Sequence, residues 1–186
     1  MIRTAIFVEG VTDLVFVRHL LTLLFGWENV SFNCLALRND KAMPREYSYP
    51  NPNAQFYFEL YDCGSDTNVP TFIVQHEKRL RAEGFNHLVG LRDMYSDQYK
   101  KFVNKKNKKS GIDEFITQKM IQEHFNAIQK NCEQPQTIQL CFAIMETEAW
   151  LLGMYPVFEK IDPSLTPHFI TSQLGFDLHT IDPQAH

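Results

Sequence analysis

The stretch "TAIFVEGVTDLVFVRHLL", residues 4–21, passes from an apolar run into a helix through a single turn at Glu9-Gly10. Ile2 to Val8 is short and apolar, as suits a buried strand. Thr12 or Asp13 can cap the helix that follows, which carries Leu14, Phe16, Val17, Leu20, Leu21 and Leu24 and stops near Gly26. Glutamate is a poor residue directly after a buried strand. Glu9 is therefore either tolerated by the fold or used by it.

Outward from that turn, strand-like and helix-like segments alternate. "VSFNCLAL" (30–37) predicts a second strand, and "RNDKAMPREYSYPNPN" is a loop too rich in breakers for regular structure. "AQFYFELYDC" (54–63) predicts a third strand. Pro70 suits the first turn of a helix running to about Glu83, with Gly84 ending it. "NHLVGLRD" (86–93) reads as a strand and Ile112 to Asn131 as a helix. "TIQLCFAIM" (137–145) reads as another strand, followed by a helix in "ETEAWLLGMY". This alternation predicts an α/β fold, a mainly parallel sheet with helices on both faces. No repeat or linker divides it, so residues 1–155 are expected to form one domain. The proline-broken remainder, 156–186, is a C-terminal tail packing on or extending from it.

Composition narrows the class. With 186 residues, 44% hydrophobic and 22% charged, the chain suits one globular domain with a sizeable core. The formal charge of −4 gives no global pull toward nucleic acid, so any such affinity needs a local patch. Cys34, Cys63, Cys132 and Cys141 show neither CxxC nor zinc spacing. No signal peptide or apolar run of membrane-spanning length is visible, and a cytoplasmic location is expected. The histidines lack ligand spacing; His19 and His124 fall within amphipathic helices. No Walker loop or GxGxxG supports a nucleotide cofactor.

Three predicted strands end in acids. The first delivers Glu9, with Asp13 a helical turn later; the fourth delivers Asp93, with Asp97 beyond it; the last delivers Glu146, with Glu148 two residues on. Parallel strands would bring these ends to one edge, where ligands of open α/β sheets gather. Clustered carboxylates repel unless protonated or bridged by a cation, and oxygen donors suit Mg²⁺ or Mn²⁺. Each acid also has a simpler reading. Asp13, Glu146 and Glu148 can favour the positive ends of helix dipoles, and Asp93 and Asp97 can form the turn in "RDMYSD".

"FVEGVTD" before an amphipathic helix resembles the first motif of TOPRIM domains, found in topoisomerases, DnaG-type primases and overcoming-lysogenization-defect nucleases. The resemblance implies a Rossmann-like fold, with Glu9 as acid/base or metal ligand and Gly10 allowing a sharp turn. The Glu9 to Asp13 spacing resembles the variant in which both acids help to bind metal. The superfamily's second motif is Asp-x-Asp; here "LVGLRDMYSD" matches its first Asp at Asp93, while Met94-Tyr95 interrupts it, leaving Asp97 as second ligand or none. A closer resemblance is to an uncharacterised bacterial TOPRIM-like family with a VEG-type start, a central Asp-aromatic segment and a late E-x-E-A-x-L-L helix. "IQLCFAIMETEAWLLG" carries that last feature. The similarity spans about residues 2–153.

Beside Asp93, "YKKFVNKKNKKSG" (99–111) concentrates Lys100, Lys101, Lys105, Lys106, Lys108 and Lys109; without these six the chain would carry about −10. It is either a solvated loop or a phosphate-contacting one. The leading expectation is a metal-dependent nuclease: Glu9 and Asp93 catalytic and holding Mg²⁺ or Mn²⁺, further acids among Asp13, Asp97, Glu146 and Glu148, and lysines on a DNA or RNA backbone. The second is a non-catalytic TOPRIM-like module binding nucleic acid or a protein partner, in defence or DNA maintenance. A response-regulator-like phosphoacceptor ranks third, because Glu146 follows the last strand where that chemistry needs a lysine.

Overall fold

Glycine-free and apolar, Ile2–Val8 forms β1, with Ala5, Phe7 and Val8 fully buried. The structure, a computed structural model, describes residues 1–38, 41–65, 67–94, 99, 114–143, 157–175 and 177. After β1 come α1 (Val11–Phe25), β2 (Val30–Arg38), β3 (Lys41–Pro44), β4 (Phe56–Asp62) and α2 (Asn68–Ala82). Then follow β5 (His87–Asp93), α3 (Glu114–Asn131), β6 (Ile138–Ala143), α4 (Phe158–Ile161) and α5 (Pro167–Leu174). The protein is α/β, with a six-stranded, mostly parallel sheet in the order β3-β2-β4-β1-β5-β6. β1 lies between β4 and β5, parallel to both, and β2 is parallel to β4.

Alternation of side chains along the strands builds two cores, one on each face. Ile6, Val8, Val30, Phe32, Cys34, Phe58 and Leu60 face Leu14 and Val17 of α1. Ala5, Phe7, Tyr61 and Leu88 face Val69, Phe72, Ile73 and Leu80 of α2, with Ile128 of α3 in the same cluster. Both faces of the strands are apolar because both are covered, as expected of parallel sheets.

The chain divides into two compact units. One comprises Met1–Asp93 with Gln118–Phe142, and the other Met94–Thr117 with Ala143–His186. Within the second, the amide of Met94 donates to the carbonyl of Ala143 (2.8 Å), and the buried Tyr99 hydroxyl lies 3.2 Å from that of Thr117. No helix among the described residues is long and apolar enough to cross a membrane.

One local expectation needs correcting. The breaker-rich loop after β2 contains β3, which runs antiparallel to β2, and Tyr49 exchanges backbone hydrogen bonds with Phe32 (2.8 Å each). Lys41 and Pro44 are tolerated because β3 is an exposed edge strand, where a missing N–H and a charge cost little. The tail holds two helical segments; α5 is started by Thr166, whose Oγ1 accepts the Phe169 amide (3.2 Å). Phe16, Leu20 and Leu24 of α1 lie outside the core, 36–66% exposed, because the helix turns its Leu14, Val17, Leu21 and Phe25 side to the sheet. The helix expected in "ETEAWLLGMY" lies outside the described residues.

Candidate functional site

Because β1, β4 and β5 are parallel, their carboxyl ends share one edge of the sheet, and each end delivers an acid. Glu9 follows β1 and Asp93 closes β5, on adjacent strands. The Asp93 amide donates to Glu9 Oε2 at 3.3 Å, and both residues are only partly buried. This bond holds the Glu9 side chain across the β1–β5 gap. Gly10 caps α1 in an extended conformation (φ −149°), and its carbonyl accepts the Leu14 amide at 3.1 Å. Among the described residues, a Cβ at Gly10 would meet nothing within 4 Å, and its φ is one that any residue adopts.

Asp13 turns back to the start of its helix, where Oδ2 accepts the Gly10 amide at 3.2 Å. That is the reciprocal half of a capping box, and it supplies an acceptor to a helix end with unpaired donors. Asp13 therefore has a structural task at the same turn as Glu9. Asp97, Glu146, Glu148 and the six lysines of 99–111 lie outside the described residues. Among the described residues, no group of three or more His, Cys, Asp or Glu side chains is placed to hold a metal ion.

One acid at this edge was missed from the sequence. Asp62 ends β4, in register with Val8 of β1 and Ala36 of β2, and its side chain is 2% exposed. Arg38 Nη2 donates to both its oxygens (3.0 and 3.2 Å), Arg45 Nη2 to Oδ2 (2.5 Å) and the Gly64 amide to Oδ1 (3.0 Å). Gly64 sits at φ +77°, and a Cβ there would approach Arg38 Nη1 to 2.8 Å, so glycine fits for two reasons. The signal was available: "ELYDC" ends a predicted strand on an acid, as "FVEG" and "LRD" do. Across the edge, charge thus runs from two half-exposed guanidiniums on β2 and the segment after β3, through Asp62, to Glu9 and Asp93.

A second polar cluster lies mid-sheet, on the α2 face. The buried Glu59 carboxylate accepts from Asn33 Nδ2 (3.1 Å), Tyr57 hydroxyl (3.1 Å) and Tyr61 hydroxyl, and Arg79 Nη2 donates to the Tyr61 oxygen (3.0 Å). Burial first, and the Glu59 charge second, push the Tyr57 phenol up to about 12 and raise Tyr61 further. Burial also lifts the Cys34 thiol to about 11. These groups must stay protonated in the fold, whereas the unfolded chain ionises near pH 9 for cysteine and 10 for tyrosine. The stability these groups contribute is accordingly full below pH 9 and is lost as pH climbs from there through 12. A pH series of thermal melts should record that fall, and Tyr57→Phe should remove part of it above pH 10.

His124, on α3, contacts Arg92 through Nε2, while its Nδ1 lies 2.6 Å from the Met120 carbonyl; its ring meets Phe142 edge-on. It belongs to the packing behind β5.

An α/β sheet with acids at the ends of neighbouring central parallel strands defines a class of site rather than a particular protein. No protein family, no curated protein and no solved structure matches this chain.

Proposed function

We propose that this protein is a TOPRIM-like, metal-dependent phosphodiester-cleaving enzyme acting on nucleic acid, with Glu9 and Asp93 at its centre. The observation that carries the reading is the placement of these two carboxylates on adjacent parallel strand ends, tied by the 3.3 Å bond from the Asp93 amide to Glu9. Two carboxylates on adjacent strand ends suit Mg²⁺ or Mn²⁺, which need only one or two protein oxygens and take waters and phosphate oxygens for the rest. Such an ion would polarise the phosphate and lower the pKa of an attacking water. Glu9 and Asp93 hold it, and the Asp93 amide keeps one Glu9 oxygen from swinging away. The lysines at 100–109 supply positive charge against the phosphate backbone.

The fit is supported further by the likeness of "FVEGVTD" to the TOPRIM first motif. Asp13, as a helix cap, orients the turn that carries Glu9; with Asp97, Glu146 and Glu148 it completes the candidate ligand set. A second reading, a non-catalytic nucleic-acid- or partner-binding module, draws support from that capping bond, which occupies an oxygen a metal would need.

Cleavage assays with single- and double-stranded DNA and RNA separate the two. The enzyme reading expects cleavage that needs Mg²⁺ or Mn²⁺ and stops with EDTA. Glu9→Gln and Asp93→Asn should each lower it at least ~100-fold, beyond the roughly 10–100-fold cost of losing an outer-sphere partner. Metal and nucleic-acid binding without cleavage would favour the binding module. Absence of both would overturn both readings.

A further inference from the structure

The buried carboxylate of Asp62 is answered by Arg38 alone. Arg38 Nη2 donates to both of its oxygens, and Nη1 donates to the carbonyls of Asp62 (3.2 Å) and Leu37 (2.7 Å). Arg45 nevertheless brings a second guanidinium and spends only Nη2 on Oδ2. Lys41 adds a further cation, directly opposite Arg38 in the β2–β3 register, where like charges repel. Glu46, the next residue after Arg45, is exposed and hydrogen-bonded to the Tyr47 hydroxyl.

Arg45 is also held in place. Its amide donates to the Cys34 carbonyl (2.8 Å), its own carbonyl accepts from the Ser48 hydroxyl (3.3 Å), and Asp62 fixes the end of its side chain. Folding has therefore already met much of the entropy that ordering so long a side chain costs on binding. Arg45 Nε is enclosed without a partner; among the described residues Nη1 has none either, and nothing encloses it. Arg38 Nε is likewise without a partner and open. Fixed, planar guanidiniums with unused N–H groups suit the oxygens of a phosphate.

Their place in the sheet says which phosphate. Helix α1, which follows β1, packs on one face, and α2, which follows β4, on the other. The switch point, where open α/β sheets take their ligands, thus lies between β1 and β4, with Asp62 in register with Val8 just before Glu9. β2 stands two strand spacings from β1, about 10 Å. A stacked nucleic-acid strand advances about 3.4 Å per nucleotide, so 10 Å spans about three.

We propose that Arg45, with Arg38 and Lys41 beside it, binds a backbone phosphate of the nucleic acid a few nucleotides from the phosphate at Glu9 and Asp93. This rests on nucleic acid being the substrate, and it adds a contact that holds the strand across the carboxyl edge.

Binding in EDTA, where nothing is cut, tests it by fluorescence anisotropy of labelled single- and double-stranded DNA and RNA at about 0.05–0.5 M KCl. Each phosphate contact contributes about 0.7–0.9 to the slope of log affinity against log salt. Arg45→Ala should lower the slope by that amount and weaken binding about 5–8-fold at 0.1 M salt. Arg45→Lys, which keeps the charge, should retain most of both. Thermal melts verify folding; if Arg45→Ala does not fold, Lys41→Ala on the exposed edge strand carries the same expectation. A folded alanine variant with the wild-type slope overturns the proposal and leaves the reading of Glu9 and Asp93 standing. A loss in Arg45→Lys as large as in Arg45→Ala also overturns it, since the role would be structural. So does a wild-type chain that binds inorganic pyrophosphate through Arg45 but no oligonucleotide. Arg45-dependent oligonucleotide binding without metal-dependent cleavage would support the contact while removing the nuclease reading.

Discussion

Asp62→Ala is expected to lower folding stability by about 2–4 kcal/mol, the largest loss at the carboxyl edge of the sheet. Asp62 is almost fully buried and accepts four hydrogen bonds, three from guanidinium nitrogens and one from the Gly64 amide. Removing one member of a buried ionic cluster typically costs about 3–5 kcal/mol, because the partners are left uncompensated. The arginines here are 35–40% exposed and can regain water, which lowers the figure. Asp62→Asn keeps the shape and one acceptor and should cost less. Arg45→Ala should cost least, since Arg38 still holds both carboxylate oxygens. Urea titration reads all three as shifts of midpoint at constant slope.

Glu77→Ala should cost about 2–4 kcal/mol as well, and for a different reason. Glu77 is 2% exposed on α2, and its two oxygens accept the amides of Glu133 and Gln134 at 3.1 Å each. Arg81 Nε lies 3.6 Å away, while the same guanidinium donates to the carbonyls of Phe85 (3.0 Å) and Asn86 (2.7 Å) and to the Thr137 hydroxyl. One carboxylate thus fastens α2 to the turn between α3 and β6. Hydrogen bonds to charged groups are worth about 1.5–3 kcal/mol each, and the alanine leaves two amides without an acceptor. Hydrogen exchange at Glu133 and Gln134 should accelerate with the loss of stability. Glu77→Gln, which keeps one acceptor oxygen, should recover part of it.

The alternation of apolar runs with helical spacing was enough to read the strands and helices that the sheet uses, because each buried strand here is a short, nearly unbroken hydrophobic segment. Glu9 and Asp93 were legible as sharing one edge for the same reason, since parallel strands put like ends together; that their strands are adjacent was not. Tertiary choices were not legible. Nothing local in "KAMP" marks a strand, because β3 exists only through its pairing with β2. Periodicity shows that Phe16 and Leu20 are apolar, but not which side of α1 meets the sheet. In the sequence Arg38 and Arg45 fall in what reads as a polar loop, and only the fold brings them to Asp62.

The position of β1 has a consequence for the order in which this fold can assemble. Ile2 pairs with Phe56 on one side, and Ala5 with Leu88 on the other. When the first fifty residues have been made, β1 has no strand to pair with, and α1 has no finished sheet to rest on. Both pairings of β1 are long-range closures, and closures of that separation carry loop entropy before any contact returns it. Among the described strands, the one synthesised first is the one that waits longest for its second neighbour.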